Sequence, residues 1–330
     1  MVLNQHLKQV NALIKTFADP CDGIIWHYTS ARNFQGIVER GEIWLTNTNF
    51  VSDITECKVL LKETNLFGKN ELSVNRYVEK HWQNFREGIY EDDSTYYIAC
   101  FSKEPNLLEQ WRAYGNICIG FDFDAERLKK KGFSLYECVY DKSKIKEWML
   151  EKAKAKEWRL NEPDETRVEN NVKFLDRREA AAISLILGAS IKLKHSCFVN
   201  EREVRLMTSS SYHWEFPKFA FLYDKDPPIH FRPHQGFKVP VPYVKYFISA
   251  KPGEKCDSSE KYKGKTVHQI KEGKREKEKN HKRALLPIKE IWVGPTPLKE
   301  ETRLACEILL QEKGYKNVQI NVSEIPYRGF

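Results

Sequence analysis

The chain has 330 residues, 41% of them hydrophobic and 12% aromatic, enough core material for one large or two modest domains and too much for general disorder. Its net charge is +8, and its longest nearly apolar run, Ala180 to Ala189, is about half the length a bilayer-spanning helix needs. Met1 to Lys15 carries Leu3, Leu7, Val10 and Ile14 at helical spacing but not the cationic start and apolar block of a signal peptide, so the expectation is a cytoplasmic protein with no membrane partner.

After that opening helix, Gly23 to Tyr28 reads as a strand ending at Thr29-Ser30. The hydroxyls can cap a helix from Ala31 to Arg40, which Gly41 ends. Glu42 to Thr46 is a second strand, and Phe50-Val51-Ser52-Asp53 turns the chain into a helix near Thr55. A further helix carries Val74, Tyr77, Val78, Trp82 and Phe85. Tyr96 to Ser102 is a buried strand, Asn106 to Tyr114 a short helix, and Ile117 to Phe123 and Phe133 to Tyr140 are strands. From Asp141 to Lys194 the pattern is helical and highly charged, interrupted near Pro163. Strand patterns follow at Val204 to Thr208, Lys238 to Val244, Tyr246 to Ser249, Glu290 to Val293 and Val318 to Val322, with a last helix from Lys299 to Lys313 ended by Gly314. The order is α+β, read as one domain over 1–330 with a helical insertion at about 141–194.

The eight cysteines (21, 57, 100, 118, 138, 197, 256, 306) form no Cys-x-x-Cys and read as reduced, mostly buried thiols. No metal is expected: His230 and His234 are four apart, but Pro233 between them spoils a helix. No Gly-x-Gly-x-x-Gly follows a strand, and Gly264-Lys265-Thr266 lacks the strand and first glycine of a P-loop. From Lys251 to Arg283 there are twelve Lys/Arg and six Asp/Glu with almost no aliphatic residues. This reads as a long basic loop able to track phosphates through Lys274, Arg275, Lys277 and Lys279, with Tyr262 or His268 to stack on bases, or else as a solvated insertion.

The segment Asn200 to Met207 is the most informative. If Glu203 begins a strand, Glu201 and Glu203 project from one face, where two carboxylates repel unless a cation or hydroxyl lies between them. Such a pair suits a positively charged, sugar-like transition state. It equally suits a solvated strand edge neutralised by Arg202 and Arg205.

Four segments in order carry a resemblance: His27-Tyr28-Thr29-Ser30; Phe50-Val51-Ser52-Asp53 with Glu56; Cys100-Phe101-Ser102 followed by Gln110-Trp111-Arg112-Ala113-Tyr114-Gly115; and Glu201-Arg202-Glu203-Val204-Arg205. Ile291-Trp292-Val293-Gly294-Pro295 and Ser323-Glu324-Ile325-Pro326-Tyr327-Arg328 follow. From about residue 24 to the C-terminus the set resembles a widespread bacterial family, whose pattern in turn resembles the ADP-ribosyltransferase superfamily. The opening is similar to that of its nucleic-acid-modifying toxins. The resemblance implies a split-sheet core binding NAD as substrate, with His27, Ser102 and Glu203 on three separated strands. Cys100-Phe101-Ser102 departs from the superfamily's Ser-Thr-Ser. A first-strand His combined with Glu-x-Glu mixes two subgroup patterns, in which Tyr96, Tyr97 or Tyr114 could supply the subgroup's tyrosine.

On this resemblance Glu203 stabilises the oxocarbenium-like ribosyl cation, Glu201 orients the incoming nucleophile or takes its proton, and His27 bonds a ribose hydroxyl. Tyr28 or Tyr114 covers the nicotinamide ring, Arg112 or Arg205 pairs with the pyrophosphate, and Thr29 and Ser102 lie beside the cofactor. The implied function is an intracellular bacterial toxin or defence effector modifying nucleic acid, RNA before DNA, with an antitoxin protein as a possible partner. The alternatives are an NAD glycohydrolase and a non-catalytic nucleic-acid-binding protein on the same fold. The catalytic reading requires His27 and Glu203 to face one cleft.

Overall fold

Serine and glycine signals set the first elements. β1 (Ile25–Thr29) ends at Ser30, whose hydroxyl accepts from the Asn33 amide at 3.3 Å and starts α1 (Ala31–Arg40). Gly41, at φ 60°, closes the helix by donating its amide to the Ile37 carbonyl. α1 buries Phe34, Ile37 and Val38. The structure, a computed structural model, describes residues 17–18, 23–51, 53, 57, 59–60, 83–84, 94–154, 168–169, 172–173, 177–211, 227–234, 237–249, 269, 272–273, 275–276 and 283–326. The helices expected at Met1 to Lys15 and near Thr55, and most of the one carrying Val74 to Phe85, lie outside these residues. So do Ser52, Glu56, Trp158, Tyr262, His268, Lys274, Lys277, Lys279, Tyr327 and Arg328.

The chain continues through β2 (Glu42–Asn47), β3 (Ser94–Ser102), α2 (Leu108–Tyr114), β4 (Ile117–Phe121), α3 (Ala125–Lys130), β5 (Ser134–Glu137) and α4 (Lys142–Lys154). Then come a small hairpin of β6 (Val168–Glu169) and β7 (Val172–Lys173), α5 (Arg177–Lys192), β8 (Glu203–Ser211), β9 (His230–His234), β10 (Phe237–Ser249), β11 (Arg283–Ala284), β12 (Ile288–Val293), α6 (Lys299–Glu312) and β13 (Gln319–Val322). The fold is mixed α and β around a largely antiparallel open sheet, ordered β11-β10-β2-β3-β1-β4-β12-β13. β8 pairs with β3, β5 with β8, and β9 with β10; the β12–β13 pair is parallel. Among the described residues no helix is long and apolar enough to cross a membrane.

β3 is where the sheet divides. One edge pairs with β8 over its whole length, from Ser94↔Ser211 to Ser102↔Glu203. Its other edge is shared: β2 takes Tyr97 and Ile98, and β1 takes Ser102 alone, opposite Trp26. β1 then runs off with β4 over five residue pairs. The two limbs enclose the largest core, with Ile25, Ile119 and Phe121 from one, Leu45, Phe101, Leu206 and Tyr246 from the other, and Phe34, Cys306 and Leu310 from α1 and α6. On the opposite face of β3 and β8, Tyr96, Ile98 and Met207 pack with Tyr136 against α5, whose residues 181–192 are all buried.

The expectation of a highly charged helical insertion over 141–194 is therefore corrected in its second half. α5 is the lid of a second core, in which Trp148 also packs. Strand length is the other difference. β10 is one strand through Pro240 and Pro242 rather than two, because β2 pairs with it only from Tyr243 onward and the prolines lie where that edge carries no register. His230 and His234 lie four apart on β9, roughly 13 Å along an extended chain, so they do not converge on one ion.

The end of α2 meets the end of β1 at Gly115. A Cβ there would lie 2.7 Å from the Thr29 carbonyl oxygen and 2.8 Å from Ser30 Cα, and the residue holds φ 125°. Gly115→Ala is expected to lower unfolding free energy by about 2 kcal/mol or more, from backbone strain and overpacking together, as read by the urea midpoint at unchanged slope.

Candidate functional site

Glu203 opens β8, and its neighbours converge from three pieces of chain. The carboxylate is 3% exposed. Its Oε1 accepts from Arg205 Nε at 2.6 Å, with Cys138 Sγ 3.6 Å away, and its Oε2 accepts from Lys194 Nζ. The Glu203 amide donates to the Tyr140 hydroxyl at 2.7 Å, and its carbonyl accepts the Cys138 amide. Arg205, fully buried, also donates to the Ile191 carbonyl at the end of α5. Burial pushes the Glu203 carboxyl up, but the adjacent Arg205 and Lys194 outweigh it and hold the group at about 2.

Glu201 comes beside Glu203 by a route the alternating-strand expectation did not contain. It ends a short 3₁₀ turn, Ser196–Glu201, and Arg202 then takes a left-handed conformation at φ 44° before β8 begins. The Arg202 carbonyl accepts the Lys103 amide and its guanidinium donates to Glu104 at 2.5 Å, which secures the reversal. The cation that relieves the two acids is Lys194, whose Nζ donates to Glu201 Oε2 at 2.6 Å as well as to Glu203. Lys194 is 5% exposed and lies 4.8 Å from the Phe198 ring centroid. Glu201 keeps a 20% exposed side chain. Burial raises its pKa; Lys194 opposes the rise and the Glu203 charge adds to it.

Tyr114 at the end of α2 is 47% exposed. Burial of its hydroxyl raises it to about 12, with the Cys100 thiol and the Glu201 carboxylate adding and Lys194 subtracting. Cys100, Glu201, Lys194 and Glu203 thus all act on the Tyr114 hydroxyl. Of the three expected tyrosines, Tyr96 and Tyr97 are buried, which leaves Tyr114 as the one beside the acids. Sequence reasoning missed Lys194, Cys138 and Tyr140. Lys194 lay in a lysine-rich stretch, and its only distinguishing signal was its position closing a long apolar helix.

Several expected positions have other work. Ser102 sits directly opposite Glu203 in register but is 2% exposed, and its hydroxyl accepts the Glu104 amide. Tyr28 is 5% exposed, with its hydroxyl between the Glu104 carbonyl and the Leu107 amide and its ring edge-on to Trp111 at 4.8 Å. It cannot cover a nicotinamide. Thr29 is buried, and Arg205 is committed to Glu203 and Ile191, so neither is presented to a cofactor. Arg112 is exposed on α2. Arg275 donates twice to the Ile229 carbonyl, at 2.7 and 3.2 Å, so its guanidinium anchors the loop rather than standing free for phosphate.

His27 is the main correction. Register partners share a face, so Trp26, Ser102 and Glu203 look one way and His27 the other, towards Phe101 at 5.4 Å between centroids. Strand geometry does not put His27 and Glu203 on one face. The His27 ring lies against β3, between its β1 and β2 pairings, with Nδ1 3.0 Å from the Cys100 carbonyl. A carbonyl only accepts, so Nδ1 carries the proton and Nε2 is an acceptor. Burial lowers the imidazole pKa and the Cys100 bond opposes this. No family model, curated protein or solved structure matches the chain.

Glu203→Gln is expected to cost about 3–5 kcal/mol in urea unfolding at neutral pH, because it leaves Arg205 and Lys194 buried against a neutral amide. Replacing the cluster together, as Lys194→Met, Glu203→Leu and Arg205→Met, should recover most of that loss. The Glu203 pKa is lowered on folding, so its contribution is complete above about 4.5 and fades as pH falls towards about 2. The stability gap between the native chain and Glu203→Gln should close over that window.

Proposed function

We propose that this protein is an ADP-ribosyltransferase-like enzyme that cleaves the nicotinamide–ribose bond of NAD and passes ADP-ribose to nucleic acid, with Glu201 rather than Glu203 facing the substrate. The observation that carries this reading is the pair of carboxylates sharing Lys194, one clamped and buried, the other partly exposed beside the exposed Tyr114. The divided sheet, with its fork at Trp26↔Ser102, supports the split core that the resemblance implies.

The chemistry follows from the two environments. The bond from ribose C1 to the nicotinamide nitrogen breaks with its electron pair leaving on nicotinamide, and a ribosyl cation develops. Glu201, with Glu203 fixed behind it, presents negative charge to that cation and then takes the proton of the attacking hydroxyl or amine. A carboxyl whose pKa is raised by burial is better placed for this proton transfer than one held at about 2. Glu203 becomes a positioning residue: through Lys194 it sets where Glu201 sits. His27, turned to the face of Phe101, takes no part, so this reading gives up the histidine that the resemblance implies; Tyr114 lies against the nicotinamide ring, and Arg112 takes the pyrophosphate.

A second reading has its own observation. The superfamily's strand glutamate is here enclosed by Arg205, Lys194 and Cys138, an arrangement suited to holding β8 in place. On that reading the chain is a nucleic-acid-binding protein on a degenerate transferase fold. Incubation of the purified protein with adenylate-labelled NAD, followed by separation of RNA, DNA and protein pools and assay of nicotinamide, tells them apart. Labelled nucleic acid supports the transferase. Free ADP-ribose with no labelled macromolecule gives the glycohydrolase, and no nicotinamide release with any acceptor gives the second reading. Folded Glu201→Gln protein should release nicotinamide at least about a hundredfold more slowly, and unchanged turnover would remove Glu201 from the mechanism.

A further inference from the structure

The face of the β9–β10–β2 limb turned away from the main core carries a layer of aromatic and cationic side chains, in which Tyr243 is buried and Trp44, Lys245, Phe247, His230 and Arg232 are half-buried. Ile43 and Leu45 of β2 and Val244 and Tyr246 of β10 point into the main core. Alternation therefore turns Glu42, Trp44 and Thr46, with their register partners Phe247, Lys245 and Tyr243, to the other side. β9 adds His230 opposite Tyr243, and Arg232 opposite Val241. The Trp44 and Tyr243 rings lie 4.4 Å apart between centroids, and His230 lies 5.4 Å from Tyr243. The guanidiniums of Arg40 and Arg232 are layered on Trp44 at 4.8 and 5.6 Å, and Arg283 on Phe247 at 5.0 Å. The acid of this layer, Glu42, is 1% exposed and held by Arg283, Arg40 and Lys245, so among the described residues the net charge of this face is positive.

We propose that this face binds single-stranded nucleic acid, with bases stacking on Trp44 and the arginine planes and phosphates meeting Arg40, Lys245 and Arg283. Flat aromatic and guanidinium surfaces on a strand layer suit unpaired bases, because a duplex keeps its bases stacked on each other and offers them only at their edges. Two residues of the basic segment 251–283 border the same face. Arg275 holds the Ile229 carbonyl next to His230, and Arg283 enters β11. That the strand is the acceptor of ADP-ribose rests on the reading above; its binding does not, and is measured without NAD.

The test is fluorescence anisotropy of labelled oligouridylate and oligothymidylate of about twelve nucleotides, and of a duplex of equal length, over a range of salt. Binding of either single strand at least about tenfold tighter than the duplex is expected, and the stronger of the two identifies the sugar. Trp44→Ala should weaken single-strand binding about tenfold or more and Trp44→Phe should restore most of it, with folding followed by circular dichroism. Arg40→Gln with Lys245→Gln should flatten the slope of log affinity against log salt by about one. Nicotinamide release from NAD without acceptor should be the same in Trp44→Ala and the native chain, so loss of binding and loss of cleavage report separately. The proposal is overturned if the native chain binds no single strand, if folded Trp44→Ala binds as well as the native chain, or if polyglutamate displaces the oligonucleotide as readily as unlabelled strand does.

Discussion

A buried carboxylate with two buried cations is the interaction on which the site depends. Glu203 gives up its hydration, and Arg205 and Lys194 give up theirs, so each tolerates burial only while the other two remain. The cluster is also a tie between distant parts of the chain. Arg205 reaches the end of α5, Lys194 belongs to the segment leaving it, and Cys138 and Tyr140 come from the chain after β5. A contact of that kind contributes less net stability than an apolar core of the same volume, but it fixes position. Glu201 inherits that position through Lys194, and with it a raised pKa and a partly exposed carboxylate.

β3 supplies the second constraint. Pairing its full length with β8 and dividing its other edge between β2 and β1 forces the sheet to open where β1 turns to β4. The opening places the Cys100 carbonyl between the β1 and β2 registers of β3, where His27 donates to it. This gives the histidine a reason to be half-buried and neutral that is independent of catalysis. It also gives it a fixed tautomer.

Positive charge is organised in two different ways. In the site, cations match acids one for one and are withdrawn from solvent. On the β9–β10–β2 face, arginines lie on rings, and among the described residues their counter-charge is a buried glutamate. The first arrangement holds a geometry, and the second leaves charge available to an anionic partner. Arg275 stands between them as a loop anchor, a role that residue type and local charge density do not reveal.

Much of the local structure was legible in the sequence. Ser30 and Gly41 bracket α1 because capping needs only a hydroxyl at one end and a left-handed residue at the other. Gly314, at φ 83°, follows α6 in the same way, and the buried strands at 42–47 and 117–121 showed as apolar runs. The Glu-x-Glu segment also marked the site. What the sequence could not hold was direction. One residue of offset in the Trp26↔Ser102 register turns His27 from the face of Glu203 to the face of Phe101. The left-handed Arg202 brings Glu201 to Glu203 although the two do not lie on one strand, and the prolines of β10 are tolerated because β2 begins beyond them. Above all, Lys194 became a site residue only when α5 packed on the sheet and delivered its ammonium between two acids. Local propensities depend on neighbours along the chain, whereas register, burial and charge pairing depend on neighbours that only the folded sheet brings together.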